Sequence, residues 1–184
     1  MTCAGNGALP QATSHVTLAA VGPTERVQHA LDALGLEARV VHFASSTATA
    51  QEAADSVGCE LGQIVKTLVF LADGRPTVVL AAGDRTVDTA RLAPILGVGR
   101  KKIRMGTAEE VLQLTGFETG GVAPLAMADR HDTLVDDSLH RFERVWAAAG
   151  ARTAVFGVTL EALVAAIGGQ WASIVRDPAP AGGE

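Results

Sequence analysis

Tyrosine is absent from this sequence, and aromatic residues together make up only 4% of it. A core built on stacked rings is therefore excluded. The apolar residues, 48% of the chain, must pack mostly as Val, Leu, Ile and Ala. Basic charge is also short: Lys and Arg number 15 against 20 Asp and Glu, a formal net charge of −5. That balance argues against a broad nucleic-acid-gripping surface, which shows itself as a basic stripe, and leaves only a local patch open. Cysteine occurs twice, at Cys3 and Cys59, with no Cys-x-x-Cys pair. A disulfide framework is excluded, and a reducing, cytoplasmic setting is expected. No apolar run reaches the roughly 18 residues that would span a bilayer. The N-terminus lacks the basic-then-apolar pattern of a secretory leader, so no membrane partner is expected.

Chemical signatures are missing too. The five histidines, His15, His29, His42, His131 and His140, show no His-Glu-x-x-His or similar ligand spacing. With no cysteine cluster, no metal site is expected, structural or catalytic, and no cofactor. A Gly-x-Ser-x-Gly elbow, a Walker loop and a Gly-x-Gly-x-x-Gly turn after a strand are all absent. The commoner hydrolase and nucleotide-binding machineries are thereby set aside.

What is present is a chain of 184 residues, enough for one domain with a real core. Residues 1–23, rich in Gly, Ala, Thr and Ser, read as a flexible extension, and residues 177–184 as a flexible tail. The 24–176 stretch carries periodic patterns throughout. Apolar spacing predicts helices over 24–34 and 88–96, the latter irregular at Pro94. Thr49-Ala-Gln-Glu52 and Thr107-Ala-Glu-Glu110 are capping boxes, opening helices that end at Gly58 and near Gly116. Thr159 caps a helix to about Ile167. Strands are expected over 38–43, 64–72, 77–82, 101–105, 133–135, 144–148, 152–156 and 171–175. The turn chemistry of 73–76 makes 64–72 and 77–82 a hairpin. Elements mix without strict alternation, which predicts a mixed α/β domain. Its sheet is curled or barrel-like and surrounded by helices.

Within the strand Ile64-Val-Lys-Thr-Leu-Val-Phe70 both period-2 faces are apolar, so the strand is covered on both sides. Lys66 is out of place there. An ammonium among large hydrophobes needs an anionic partner or a solvent-filled pocket, unless it snorkels off the strand end. In Thr115-Gly-Phe-Glu-Thr-Gly-Gly-Val-Ala-Pro124, the paired Gly120 and Gly121 allow close backbone approach to a ligand. Their N–H groups could hold an oxyanion, and Pro124 would stiffen the loop exit. A turn with no ligand is the other reading. In Leu134-Val-Asp-Asp-Ser138 an acid ends an apolar strand and faces a site, or caps a short helix, for which Asp137 is the simpler choice. The run from Arg100 to Arg104 carries four positive charges, fit for phosphates or for a solvated edge strand.

Four segments in order resemble one family: Thr47-Ala-Thr-Ala-Gln-Glu-Ala-Ala54, Gln63-Ile-Val-Lys-Thr-Leu-Val-Phe70, Thr115 to Pro124, and Leu134-Val-Asp-Asp-Ser-Leu139. The chain from about 24 to 175 resembles the YbaK/EbsC-type aminoacyl-tRNA deacylases, which are related to the editing domain inserted in bacterial prolyl-tRNA synthetases. The resemblance implies a free-standing, metal-independent hydrolase that cleaves the ester joining a mischarged amino acid to the 3′-terminal adenosine of tRNA. Alanine, cysteine, serine or threonine on a proline tRNA is the implied substrate, and a monomer or weak homodimer the implied state. A synthetase is a possible further partner. By the same resemblance Lys66 holds the terminal phosphate region, Gly120, Gly121 and Val122 position the ester, and Asp136 is the strand-end acid. Lys66, Gly120, Gly121 and Asp136 thus form the catalytic set. Thr47, Thr49, Val122 and Pro124 form the substrate-binding set, with Thr47 and Thr49 walling the amino-acid pocket. The implied attack is by water, assisted by a ribose hydroxyl of the substrate or by the substrate's own thiol. A non-catalytic module that binds a tRNA end or a synthetase is the alternative.

Overall fold

The computed structural model describes residues 21–176, so most of the two expected extensions lies outside the described residues. Five helices and eight strands alternate irregularly along it. α1 (Pro23–Ala33) starts on Pro23, whose missing N–H costs nothing at a helix start. α2 (Ala50–Val57) and α4 (Ala108–Thr115) are opened by the two capping boxes. Glu52 donates its amide to Thr49 Oγ1 at 3.2 Å, while the Thr49 amide donates to the Glu52 carboxylate at 3.1 Å. Both helices end on glycines in the left-handed region, Gly58 and Gly116. α3 (Thr89–Ile95) is capped by Asp88, whose carboxylate accepts from the Ala90 amide. α5 (Leu160–Ile167) follows Thr159 as expected, but the Thr159 side chain makes no capping bond.

The strands are β1 (Val40–His42), β2 (Ile64–Ala72), β3 (Arg75–Ala82), β4 (Ile103–Met105), β5 (Asp132–Asp136), β6 (Arg144–Ala148), β7 (Ala154–Thr159) and β8 (Gln170–Ala172). They form one mixed sheet in the order β1-β7-β6-β2-β3-β5-β8, with β4 on β2; the sheet does not close into a barrel. The β2–β3 hairpin is tighter than residues 73–76 suggested. Asp73 and Gly74 both have positive φ, the two-residue turn that matches strand twist, so β3 starts at Arg75. Pro76 fits inside it because its pair, Leu71, turns its backbone groups away from β3 towards β4.

Three further expectations are corrected. Arg100–Lys102 is a 3-10 turn before a shorter β4, not a strand. The strand expected at 152–156 runs Ala154–Thr159, because a turn from Ala151 to Ala154 precedes it. β8 stops at Ala172, and Val175 instead forms a lone bridge with Val87.

Both faces of β2 and β3 are covered. Val65, Val69, Val78 and Leu80 pack with residues of α1, α4 and α5 on one side. Phe70, Ala72 and Val79 pack with Leu92 of α3, Ile103 and Ile174 on the other. A third, smaller cluster joins Ala53 and Ala54 of α2 to Ile64 and Val155.

β2 pairs with β3 from Val65 to Ala72, but on its other side it is paired only at the two ends. Ile64 and Val65 meet β6, and Phe70 to Ala72 meet β4. The stretch between them is an opening in the sheet.

Candidate active site

A pocket of about 280 Å³ lies at this opening. Its walls are residues 47–50 and Ala53 at the start of α2, residues 64–68 of β2, Gly120 and Val122, residues 146–148 of β6, and Val155. The alanines and valines keep it small and mostly apolar.

Lys66 enters this region as a half-buried cation. Its Nζ donates to the carbonyls of Gly83, at 3.1 Å, and of Arg85. The ammonium's hydrogen-bond partners are thus backbone carbonyls, while the residue also lines the pocket and has the Asp84 carboxylate nearby. Burial pushes the Lys66 pKa down, and the nearby Asp84 carboxylate opposes that shift. An ammonium carries three donors, so two bonds leave one for a ligand. The carbonyls come within reach because Gly83 has no side chain: a Cβ there would lie 2.2 Å from the Leu61 carbonyl oxygen.

The turn that carries those carbonyls is itself tied down. Arg141 donates to both oxygens of Asp84, at 3.0 and 2.7 Å, and Arg85 donates to the same carboxylate at 3.0 Å. The hydrogen bond from Arg141 is the largest cause holding the Asp84 carboxyl below its ordinary value. Lys66, Arg85 and Arg141 therefore surround one acid, a local excess of positive charge in an acidic chain. The pairing of Arg141 with Asp84 carries no signal in the sequence, since 57 positions separate the two residues.

The glycine loop forms the opposite wall. Gly120 has φ +88°, and a Cβ on Gly121 would lie 2.8 to 3.0 Å from the Ala151 backbone. Gly120 and Val122 line the pocket; Gly121 does not, and its N–H donates to the Glu118 carbonyl at 3.0 Å. Among the described residues, the Gly120 and Val122 amides meet no acceptor. Thr47 and Thr49 also line the pocket. The Thr47 hydroxyl donates to the Arg152 carbonyl, and that of Thr49 accepts from the Glu52 amide. Pro124 lies apart, along a second groove with Met127 and His131.

Asp136 stands outside the pocket as well. It is 1% exposed, and its carboxylate accepts from the amides of Ser138, Ile174 and Val175 at 2.8, 2.9 and 3.1 Å. Asp136, not Asp137, is the cap of the 3-10 segment Asp137–Arg141, because it also clamps the chain leaving β8. The basic run is engaged elsewhere too. Lys102 pairs with Asp73, and Arg104 pairs through two nitrogens with Glu110.

Thr67 is the residue that sequence reasoning passed over. Its hydroxyl is buried without a partner among the described residues, and it lines the pocket beside Lys66. A polar residue in an otherwise apolar strand was its one available signal.

An open mixed sheet, clad in helices and holding one apolar pocket between a cation and a glycine loop, defines an α/β small-ligand site. The model of the aminoacyl-tRNA editing domain matches residues 44–166, so the chain belongs to that family. It is 36% identical over 121 residues to the uncharacterized protein YwhH of Bacillus subtilis, covering 65% of this chain and 75% of that one. It is 29% identical over 127 residues to EbsC of Enterococcus faecalis, named as a candidate Cys-tRNA(Pro)/Cys-tRNA(Cys) deacylase, covering 68% and 76%. A crystal structure of a candidate trans-editing enzyme for prolyl tRNA synthetase superposes with a TM-score of 0.78. That match has 37% identity and covers 84% of this chain and 98% of the other. The family's reaction, taking an amino acid off tRNA, is the hydrolysis of an ester.

Proposed function

We propose that this protein is a free-standing, metal-independent editing hydrolase acting in the cytoplasm. It removes a small amino acid, alanine, cysteine, serine or threonine, from a mischarged proline tRNA. The observation that carries this reading is Lys66, fixed by two carbonyls with one donor free, at the wall of a pocket of about 280 Å³. A pocket of that size suits a small aminoacyl group; the cation suits the phosphate of the terminal nucleotide.

In this reading Lys66 is an electrostatic anchor, not a nucleophile. The Gly120 and Val122 amides hold the acyl oxygen as negative charge develops on it. Water attacks the ester carbon with help from a ribose hydroxyl of the substrate, and the bond to the ribose oxygen breaks. Gly121 and Pro124 shape the loop, and Asp136 positions the segment bearing Arg141. Thr47 and Thr49 wall the amino-acid end. The protein works as a monomer or weak homodimer, alone or beside a synthetase.

Deacylation of a panel of mischarged tRNAs tests this. Hydrolysis of at least one small amino acid well above the buffer rate is expected. Lys66→Ala should lower kcat/KM by about tenfold or more, the effect of one lost charge-assisted hydrogen bond. A Lys66→Ala enzyme as fast as wild type ends the anchoring role. Binding of tRNA with no turnover would assign a binding module instead.

A further inference from the structure

The opening beside β2 exposes backbone as well as side chains. The Asp73 amide donates to Lys102 O and the Gly106 amide to Val69 O, each at 2.9 Å. Odd-numbered residues of β2 therefore turn their backbone groups to the side occupied by β4 and β6, since alternate residues of a strand face opposite edges. Thr67 is the odd-numbered residue in the opening. β6 pairing ends at Val65, and β4 pairing begins at Phe70. The Thr67 carbonyl thus faces the pocket where a neighbouring strand would otherwise supply a donor.

The pocket lining has no carboxylate, and its hydroxyls are those of Thr47, Thr49 and Thr67. Thr47 and Thr49 are engaged by Arg152 and Glu52. The Thr67 hydroxyl has no protein partner among the described residues. A buried hydroxyl is stable only when hydrogen-bonded, so this one marks where a ligand group belongs. A carbonyl and a hydroxyl on one residue offer two acceptors to a donor, while the neighbouring Lys66 cation, on the other face of the strand, is held by the Gly83 and Arg85 carbonyls. The amino-acid end of an aminoacyl ester presents such a donor, its α-ammonium.

We propose that Thr67 recognises the substrate's free α-ammonium through its backbone carbonyl and its hydroxyl, so that the amino-acid end docks on β2 as a one-residue strand. The proposal rests on the deacylase reading and names what selects the substrate there: an unblocked α-amino acid. Peptidyl or N-acylated tRNA, whose nitrogen is neutral, bulky and poorer in donors, is rejected.

The test separates binding from turnover. Calorimetry compares the wild-type protein with 3′-alanylamino-3′-deoxyadenosine, a non-hydrolysable analogue, and with its N-acetyl derivative. Tighter binding of the free amine by about tenfold or more is expected, the worth of a hydrogen bond to a charged group. Thr67→Val should shrink that ratio severalfold, and Thr67→Ser should retain it. Equal binding of the two analogues by wild type, or of neither, overturns the proposal. So does an unchanged ratio in Thr67→Val. Should Thr67→Val fail to fold, the wild-type comparison alone decides. Hydrolysis of alanyl-tRNA is read separately: amine-selective binding without turnover keeps the Thr67 role and removes the deacylase reading.

Discussion

Asp136 shows how one side chain can tie distant parts of the chain together. Its two oxygens take three backbone donors, one from the segment leading to Arg141 and two from the chain leaving β8. At 1% exposure, water cannot replace them. Asp136→Ala would strand three amides, and a buried unsatisfied group costs about 1–3 kcal/mol. Urea denaturation of Asp136→Ala should therefore show a stability loss of about 3 kcal/mol or more; a variant as stable as wild type would mean that the amides find other acceptors. The sequence singled out this acid but misjudged its neighbour, because Asp136 and Asp137 are equivalent as caps until the β8 exit arrives beside one of them. Lys66 was legible by contrast alone, a charge in an apolar run. Its two carbonyl partners were not, since Gly83 and Arg85 lie in the turn beyond the far strand of the hairpin, 17 and 19 positions away.

Among the elements, α4 gives a test in pH. Glu110 closes the capping box with Thr107 and also receives Arg104, and the Arg104 hydrogen bonds are the first cause lowering its pKa from 4.5 to about 2. The folded state therefore binds this proton less readily than the unfolded chain. Glu110's contribution to stability is present above pH 4.5 and is lost as pH falls through about 2. The melting temperature of wild type should drop across that window more steeply than that of Glu110→Gln; parallel curves would refute the assignment. Helix boundaries were legible wherever such local chemistry sets them, as at Thr49, Gly58, Thr107 and Gly116. Strand ends were less so. β4 starts opposite the end of β2 and β8 stops opposite the end of β5, and no residue in the strand itself announces that.

For the whole molecule, net charge and site charge point in opposite directions. The chain carries −5 overall, yet Lys66, Arg85 and Arg141 gather around the single acid Asp84. Binding to tRNA should then rest on a few phosphates of the single-stranded acceptor end. Each neutralised phosphate contributes a slope of about −0.7 to log affinity against log salt, so roughly −2 in total is expected. Titration of sodium chloride in a tRNA-binding assay reads it; a much steeper slope would reveal a broad basic footprint elsewhere. Among the described residues, no helix is long and apolar enough to cross a membrane.

The sequence alone determined the mixed α/β class, the two capped helices, the β2–β3 hairpin and the oddity of a lysine, Lys66, within an apolar strand. Each depends on residues close in the chain or on a period of two or 3.6, and such signals are local. Only the tertiary structure decided that Thr47, Thr49, Lys66, Gly120 and Val122 share one pocket while Gly121, Pro124 and Asp136 stand outside it. It also decided that β2 is left unpaired between β6 and β4, which exposes Thr67. The reason is physical: strand pairing and the approach of loops depend on which distant segments meet across the sheet, and that information is spread over the whole chain.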